Sequence, residues 1–239
     1  MKNLLENIYQ KAAFFPGILG LFINPFYFAR KGLAKNIRDL SSHISGKVLD
    51  VGCGKKPYEQ LFQATEYIGL EYDSPENRKK KNADFYYDGH IFPFENNSFD
   101  SLVINQVFEH VFNPDAFLKE VLRVLKPGGK LLMTVPFVWD EHEQPHDYAR
   151  YSSFGLQFIL EKHGFNIVEQ RKSVNDFRVI FQLVNAYLYK KMMSSNQYLN
   201  LVLAFLVMSP INVAGEIVGF LLPENNDLYL DNVILARKN

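Results

Sequence analysis

The sequence predicts a doubly wound α/β fold with a mostly parallel sheet. Short strand-like runs rich in β-branched and aliphatic residues alternate with helix-like patterns through the middle of the chain. The first of these runs, Val48-Leu49-Asp50-Val51, ends in the glycine-cornered turn Gly52-Cys53-Gly54. Polar side chains recur just after the next three runs, where an open parallel sheet places its ligand. At 239 residues the chain can bury the core such a sheet needs.

Taken in order, residues 1–45 read as a leading helical cap that ends in the turn Ser45-Gly46. Strands are expected at Lys47 to Val51, Tyr67 to Glu71, Phe85 to Tyr87, Phe99 to Asn105 and Lys130 to Val135. After the glycine turn, Pro57 followed by Tyr58-Glu59-Gln60-Leu61-Phe62 predicts a helix start, since Pro is tolerated in a first turn. Arg78-Lys79-Lys80-Lys81 reads as a solvated turn. Asn113-Pro114 supplies a helix cap and first turn, Phe117, Val121, Leu122 and Leu125 keep helical spacing, and Pro127-Gly128-Gly129 stops the helix. Ser152 or Ser153 caps a further helix carrying Phe154, Phe158, Ile159 and Leu160, with Gly164 beyond its end and a strand near Asn166 to Gln170. The domain plan is therefore a core over 46–176, a helical insertion over 177–222, and a final core strand within 223–239, read at Leu228 to Ala236.

Lys plus Arg and Asp plus Glu number 26 each, so no global basic field points to nucleic acid, and a small molecule is the expected partner. The single cysteine, Cys53, excludes an internal disulfide and a multi-cysteine zinc site, in keeping with a reducing, cytoplasmic setting. Ala12 to Ala29 and Met192 to Gly215 contain no charged side chain. The unbroken apolar core of the second, Leu201 to Met208, falls short of the ~20 residues a spanning helix needs. These segments read either as helices packed on the domain or as a peripheral contact with the inner membrane face or a lipid-like acceptor. No signal peptide is expected, because Glu6 precedes the apolar part and no small-residue cleavage site follows it.

Four strand ends carry the candidate ligand groups. The first offers Asp50 with Gly52, Cys53 and Gly54. The second offers Glu71, favoured over Asp73 by strand alternation, as a carboxylate able to accept both hydroxyls of a ribose. At the third, Asp88 can accept from an exocyclic adenine amine while the Gly89 amide donates to the ring. The fourth offers Asn105 and Gln106.

The motifs VLDVGCG (48–54), YIGLE (67–71), DGHIFPFENNSFD (88–100), FEHVFNP (108–114) and FLKEVLRVLKPGGKLLMTVP (117–136) occur in this order. Together they resemble a class I S-adenosylmethionine-dependent methyltransferase of the type-11 domain group. The resemblance implies a Rossmann-like seven-stranded sheet of order 3-2-1-4-5-7-6 with the seventh strand antiparallel, and S-adenosyl-L-methionine as cofactor. It implies that Asp50 and the glycine loop hold the methionine part, Glu71 the ribose, Asp88 and Gly89 the adenine, and that Asn105 and Gln106 line the floor near the sulfonium. Two departures stand out. Lys55-Lys56-Pro57 replaces smaller residues, which makes the loop less open, and Glu71 replaces a frequent Asp. A nicotinamide-binding loop would need glycine where Pro57 stands.

Beyond the fifth strand, Trp139 to Tyr151 concentrates imidazole, carboxylate, guanidinium and aromatic groups. His146 or His142 is a candidate general base for an acceptor hydroxyl, Asp147 would orient the neighbouring ring, and Arg150 would grip an anionic acceptor. The same Asp147 to Tyr151 group also reads as a structural clasp, and His110 reads either as a group approaching the site or as a helix-start residue. No metal is expected at His142 and His146, because Pro145 prevents a helix from presenting both on one face. The Pro-His-Asp-Tyr-x-Arg-Tyr run resembles loops of methyltransferases from bacterial surface-polysaccharide and lipid-linked pathways, which implies a small or lipid-linked acceptor, such as a sugar hydroxyl. The alternative expectation is a noncatalytic protein that keeps the nucleotide fold and attaches to a membrane or partner.

Overall fold

A computed structural model describes residues 12–80 and 82–239 of the chain. Lys81 and the start of the leading segment lie outside them. The helices are α1 (Ile18–Ile23), α2 (Tyr27–Leu40), α3 (Pro75–Lys80), α4 (Pro114–Val124), α5 (Ser153–Lys162), α6 (Arg178–Met192), α7 (Gln197–Leu203) and α8 (Ser209–Leu221). The strands are β1 (Ser45–Val51), β2 (Gln63–Tyr72), β3 (Phe85–Tyr87), β4 (Phe99–Asn105), β5 (Leu125–Pro136), β6 (Phe165–Ser173) and β7 (Asp231–Lys238). They form one seven-stranded sheet of order β3-β2-β1-β4-β5-β7-β6.

The pairs β1–β2, β1–β4, β2–β3 and β4–β5 are parallel. Two bonds bracket β6 and β7 as antiparallel neighbours. Asn239 N donates to Gly164 O at one end and Leu230 N donates to Ser173 O at the other. The strand order reverses between β1 and β4, and this switch point is where the fold leaves its ligand crevice.

The chain divides into two compact units. One contains 36–137, 141–171 and 232–239, and the other contains the segment up to Lys35, 138–140 and 172–231. In the sheet-bearing unit, Leu49, Val51, Leu70, Leu102, Ile104, Leu131 and Met133 pack with Phe108, Leu118, Val121, Leu156 and Phe165 of the flanking elements. The central strands are apolar on both faces because helices and turns cover both. Helix α4 starts as its sequence dictates, with Asn113 Oδ1 accepting from Ala116 N at 3.1 Å and Pro114 in the first turn. Ser152 caps α5 by accepting from Gly155 N at 3.2 Å. The second unit is helical and carries its own polar ties. Gln182 Oε1 accepts from Phe28 N and Ala29 N at 3.0 and 3.1 Å, so a buried amide on α6 satisfies the first turn of α2.

Four expectations are corrected. No helix follows the glycine turn; a single 3₁₀ turn, Glu59–Leu61, is all that separates it from β2, which already begins at Gln63. Residues 78–80 belong to α3 rather than to a turn, with Arg78 paired to Asp73 at 2.7 Å. Pro127-Gly128-Gly129 lies inside β5 as an irregularity, where Phe99 faces Leu125 and Ser101 faces Lys130; α4 has ended at Val124, and Leu125 is extended. The second apolar segment is one continuous helical run, Gln197–Leu221, joined through a π-helical stretch at Ala204–Met208. At 25 residues, with an 18-residue window of mean hydropathy 2.0, it is long and apolar enough to cross a membrane, which overturns the expectation from length.

Candidate functional site

The β1–β2 register pairs Val51 with Leu70, and the β2–β3 register pairs Glu71 with Tyr86 and Tyr72 with Tyr87. Asp50, Glu71 and Asp88 therefore stand at the carboxyl edge of three adjacent parallel strands. Asn105, paired with Thr134 of β5, extends that edge across the switch point.

The glycine loop owes its shape to two residues in the left-handed region. Gly52 has φ +69°, and a Cβ there would sit 2.3 Å from Val107 Cγ2. Gly54 has φ +57°, and a Cβ there would meet nothing within 4 Å, so this corner faces open space beside buried carboxylates. Its amide donates to Glu71 Oε2 at 3.0 Å, which ties the loop to the end of β2. Asp50 is 4% exposed and accepts from the Tyr67 hydroxyl at 2.8 Å. Burial pushes its pKa up to about 7; the Tyr67 bond works the other way and nearby Glu71 adds to the rise. Burial also pushes the Cys53 thiol up to about 12, which disfavours a thiolate there.

Asp88 is exposed. Its Oδ1 accepts from His90 N at 3.0 Å, and that bond leads the interactions that hold its carboxyl below the usual range. Gly89 follows with φ +89°. Gln106 has φ +55°, unusual for a residue other than glycine, and is held there by its amide donating to Thr134 O at 2.9 Å and Nε2 donating to Thr134 Oγ1 at 3.3 Å. Thr134 Oγ1 in turn donates to Asn105 Oδ1 at 3.4 Å.

The loop after β5 is pinned to the turn after β4. Tyr148 N and Ala149 N donate to Glu109 O at 2.9 and 3.2 Å, and His110 Nδ1 donates to His146 O at 2.6 Å. Arg150 commits its guanidinium to Asp147 through two bonds of 2.6 Å, and His142 N donates to Asp147 Oδ2 at 2.9 Å. Burial works against the Asp147 charge, but these donors outweigh it and hold the carboxyl down to about 2. His142 turns its Nε2 toward buried Glu109, 3.9 Å from Oε1, while His146 is exposed with Nδ1 3.1 Å from the Tyr148 hydroxyl. The structure thus gathers His142, Asp147 and Arg150 into one cluster and leaves His146 on its rim.

Sequence reasoning missed several contributors. Lys56, with φ +53° and a side chain only 8% exposed, pairs with Asp84 at 2.5 Å, and the same carboxylate oxygen accepts from Gly69 N at 2.7 Å. The unusual lysine in the loop is a brace between the turn, β2 and the approach to β3. Its left-handed backbone gave no sequence signal, since Lys rarely adopts it. Tyr67, Thr134 and Glu109 were also missed. Glu109, within FEHVFNP, was detectable as a charge placed among residues otherwise destined for burial.

Residues 49–133 match the family model described as a methyltransferase domain. Over these residues the core carries a methyltransferase domain, and the strand order is the one that the resemblance to the class I S-adenosylmethionine-dependent fold implies. A Mycolicibacterium smegmatis protein named "Probable S-adenosylmethionine-dependent methyltransferase" is 30% identical over 128 residues, 50% of this chain and 49% of that one. A fatty-acid O-methyltransferase of the same organism is 35% identical over 104 residues, 38% of each chain. The chain spans about half or less of the length of these curated relatives. Among solved structures, the [4+2]-cyclase SpnF superposes with TM-score 0.57 at 19% identity, covering 89% of this chain and 83% of that one. That likeness is one of fold, which does not by itself fix a reaction. The residues on the carboxyl edge fit the cofactor on chemical grounds. Buried Asp50 suits an ammonium group, buried Glu71 can accept from a pair of hydroxyls, and the open corner at Gly54 admits a backbone-close group.

Proposed function

We propose that the whole chain transfers a methyl group from S-adenosyl-L-methionine to an oxygen of a small, lipophilic or lipid-linked acceptor such as a sugar hydroxyl. The observation that carries this reading is the row Asp50, Gly54, Glu71 and Asp88 along one sheet edge, with a histidine-rich loop pinned beside the end of the neighbouring strand. Asp50 and the Gly52–Gly54 amides would hold the methionine part, Glu71 the ribose hydroxyls, Asp88 and the Gly89 amide the adenine, and Asn105 and Gln106 the floor beneath the sulfonium. When bound, the cofactor supplies an electrophilic methyl group on a positively charged sulfur.

This chain's own task is then to align and to handle one proton. In-line displacement gains most from positioning, and the strained Gln106 backbone and the three-bond clamp from Glu109 and His110 onto the loop fix the floor and one wall. His146 is the open imidazole of the loop and the candidate to take the acceptor proton. Asp147 and Arg150 act by holding His142 and the loop backbone rather than by gripping the acceptor, because each is spent on the other.

The lipophilic side of the proposal rests on the helical unit. Phe205, Leu206, Ile217 and Phe220 are each more than half exposed on a helical run whose one charged side chain is Glu216, and Phe22 joins Phe205 and Leu206 in lining a groove of about 500 Å³. An apolar face of this size favours peripheral contact with a bilayer, and the fatty-acid relative acts on a lipophilic substrate by name. Transfer of labelled methyl from S-adenosyl-L-methionine to fatty-acid, glycolipid and free-sugar acceptors tests the reading. Label in a lipophilic hydroxylated acceptor is expected, and cofactor binding without label in any oxygen acceptor contradicts the acceptor assignment.

A further inference from the structure

Two imidazoles and a carboxylate converge on one point at the edge of the acceptor loop. His110 Nε2 lies 3.7 Å and His142 Nε2 lies 3.9 Å from Glu109 Oε1, and one ligand atom from each residue falls within 4.8 Å of the others. Glu109 is 0% exposed, and both histidines are partly buried. The two rings stand 4.7 Å apart at 75°, edge to face.

The second ring nitrogen of each histidine meets a fixed partner. His110 Nδ1 faces the His146 carbonyl at 2.6 Å. A carbonyl only accepts, so Nδ1 carries the proton, and Nε2 of the neutral ring presents its lone pair toward the Glu109 carboxylate. A cation between this lone pair and the carboxylate oxygen would satisfy both. His142 Nδ1 lies 3.3 Å from Asp147 Oδ2, the carboxylate-to-imidazole arrangement that orients a metal-ligating histidine from behind. Asp147 is itself locked by Arg150, and the loop is pinned to Glu109 through two backbone bonds.

We propose that Glu109, His110 and His142 form a binding site for one divalent transition-metal ion, of the Zn²⁺ or Mn²⁺ kind, with the His146 carbonyl and Asp147 as its outer supports. A two-nitrogen, one-oxygen donor set suits such borderline ions better than Mg²⁺ or Ca²⁺, which prefer oxygen alone. Donor atoms on bonds of about 2.1 Å at tetrahedral angles sit about 3.4 Å apart, so the observed spacings close with shifts of a few tenths of an ångström for the two pairs involving Glu109. Three protein ligands leave at least one position for an oxygen donor. Resting on the methyl-transfer reading, that position would take the acceptor oxygen and ease loss of its proton. The site uses His110, which lies on a different strand end from the paired loop histidines, so Pro145 is no obstacle to it.

The test is calorimetric titration of the full-length, chelator-treated protein with ZnCl₂, with a parallel titration of S-adenosylhomocysteine into the same samples. One equivalent of Zn²⁺ is expected, weakened at least tenfold in Glu109→Gln and in His142→Ala and also weakened in Asp147→Asn, while S-adenosylhomocysteine affinity stays unchanged and each variant still melts cooperatively, Asp147→Asn at a lower temperature because its pair with Arg150 is lost. Visible absorption of the wild-type protein loaded with Co²⁺ reads the same site without any substitution, and low-coordinate, nitrogen-containing ligation is expected. Absence of saturable Zn²⁺ binding, affinity unaltered by both ligand substitutions, or a Co²⁺ spectrum like that of the hydrated ion overturns the site. Loss of S-adenosylhomocysteine binding alone would strike the methyl-transfer reading and leave the metal titration to stand or fall separately.

Discussion

The backbone amide of Gly54 donates to Glu71 Oε2 at 3.0 Å, so the open corner after β1 and the carboxylate at the end of β2 form one continuous recognition edge. Glu71 is 7% exposed, and its position is fixed before any ligand arrives. Glu71→Ala removes both a partner of the loop and the acceptor assigned to the ribose. The expected loss is about 1.5–3 kcal/mol of cofactor binding, or roughly tenfold to a hundredfold in Kd. Glu71→Gln, which keeps one accepting oxygen, should lose less. Titration of both variants with S-adenosylhomocysteine checks the order.

Gly52 and Gly54 should fail differently. At Gly52 an added Cβ collides with Val107 in a left-handed backbone, so Gly52→Ala is expected to destabilise the fold by about 1–3 kcal/mol. At Gly54 the backbone is equally left-handed but the space is open, so Gly54→Ala should cost the fold about 1 kcal/mol and weaken cofactor binding by more than it weakens folding. Thermal melts paired with binding titrations separate the two; equal effects of both substitutions on both readouts would contradict the assignment.

Asp50 gives the ligand-free protein a pH dependence of defined sign. Its carboxyl rises on folding from an ordinary 3.8 to about 7, so between these values the native state binds more protons than the unfolded chain. Stability from this group is full below about pH 4 and declines as pH rises toward 7, by on the order of 4 kcal/mol in total. Asp50→Asn should flatten that decline. A cationic ligand favours the ionised form, so at pH 6 cofactor binding should release a proton, measurable by calorimetry in buffers of different ionisation enthalpy.

Asp147 behaves in the opposite sense. Held down to about 2 by Arg150 and the His142 amide against the cost of burial, it contributes stability above pH 4 that is lost as pH falls toward 2. Arg150→Ala should remove about 2 kcal/mol at neutral pH and shrink this acid-side slope. Urea melts at pH 3 and pH 7 measure both.

The strands, the α4 cap at Asn113-Pro114 and the positions of Asp50, Glu71 and Asp88 were legible because each depends on local spacing or a short turn. The elements that were not legible depend on distant partners or on continuity. Lys56 takes its meaning from Asp84, and His110 from the His146 carbonyl, each contact closing a long loop of chain. The missing helix after the glycine turn is a consequence of β2 starting at Gln63, four residues before its apolar stretch begins at Tyr67, a start set by pairing Ser45 with Gln63 rather than by side-chain pattern. The helix Gln197–Leu221 looked interrupted at Ser209-Pro210-Ile211-Asn212. Pro210 falls in the first turn of α8, where a proline is accommodated, and Asn212 satisfies its amide on Leu21 O and Asn24 O.

Titration of the folded protein with S-adenosylhomocysteine tests the central claim, that the sheet edge carrying Asp50, Gly54, Glu71 and Asp88 is an adenosyl site. One equivalent should bind, and Glu71→Ala and Gly54→Ala should each weaken it. Protein that melts cooperatively yet shows no binding heat, or binds equally well with both substitutions, contradicts the account.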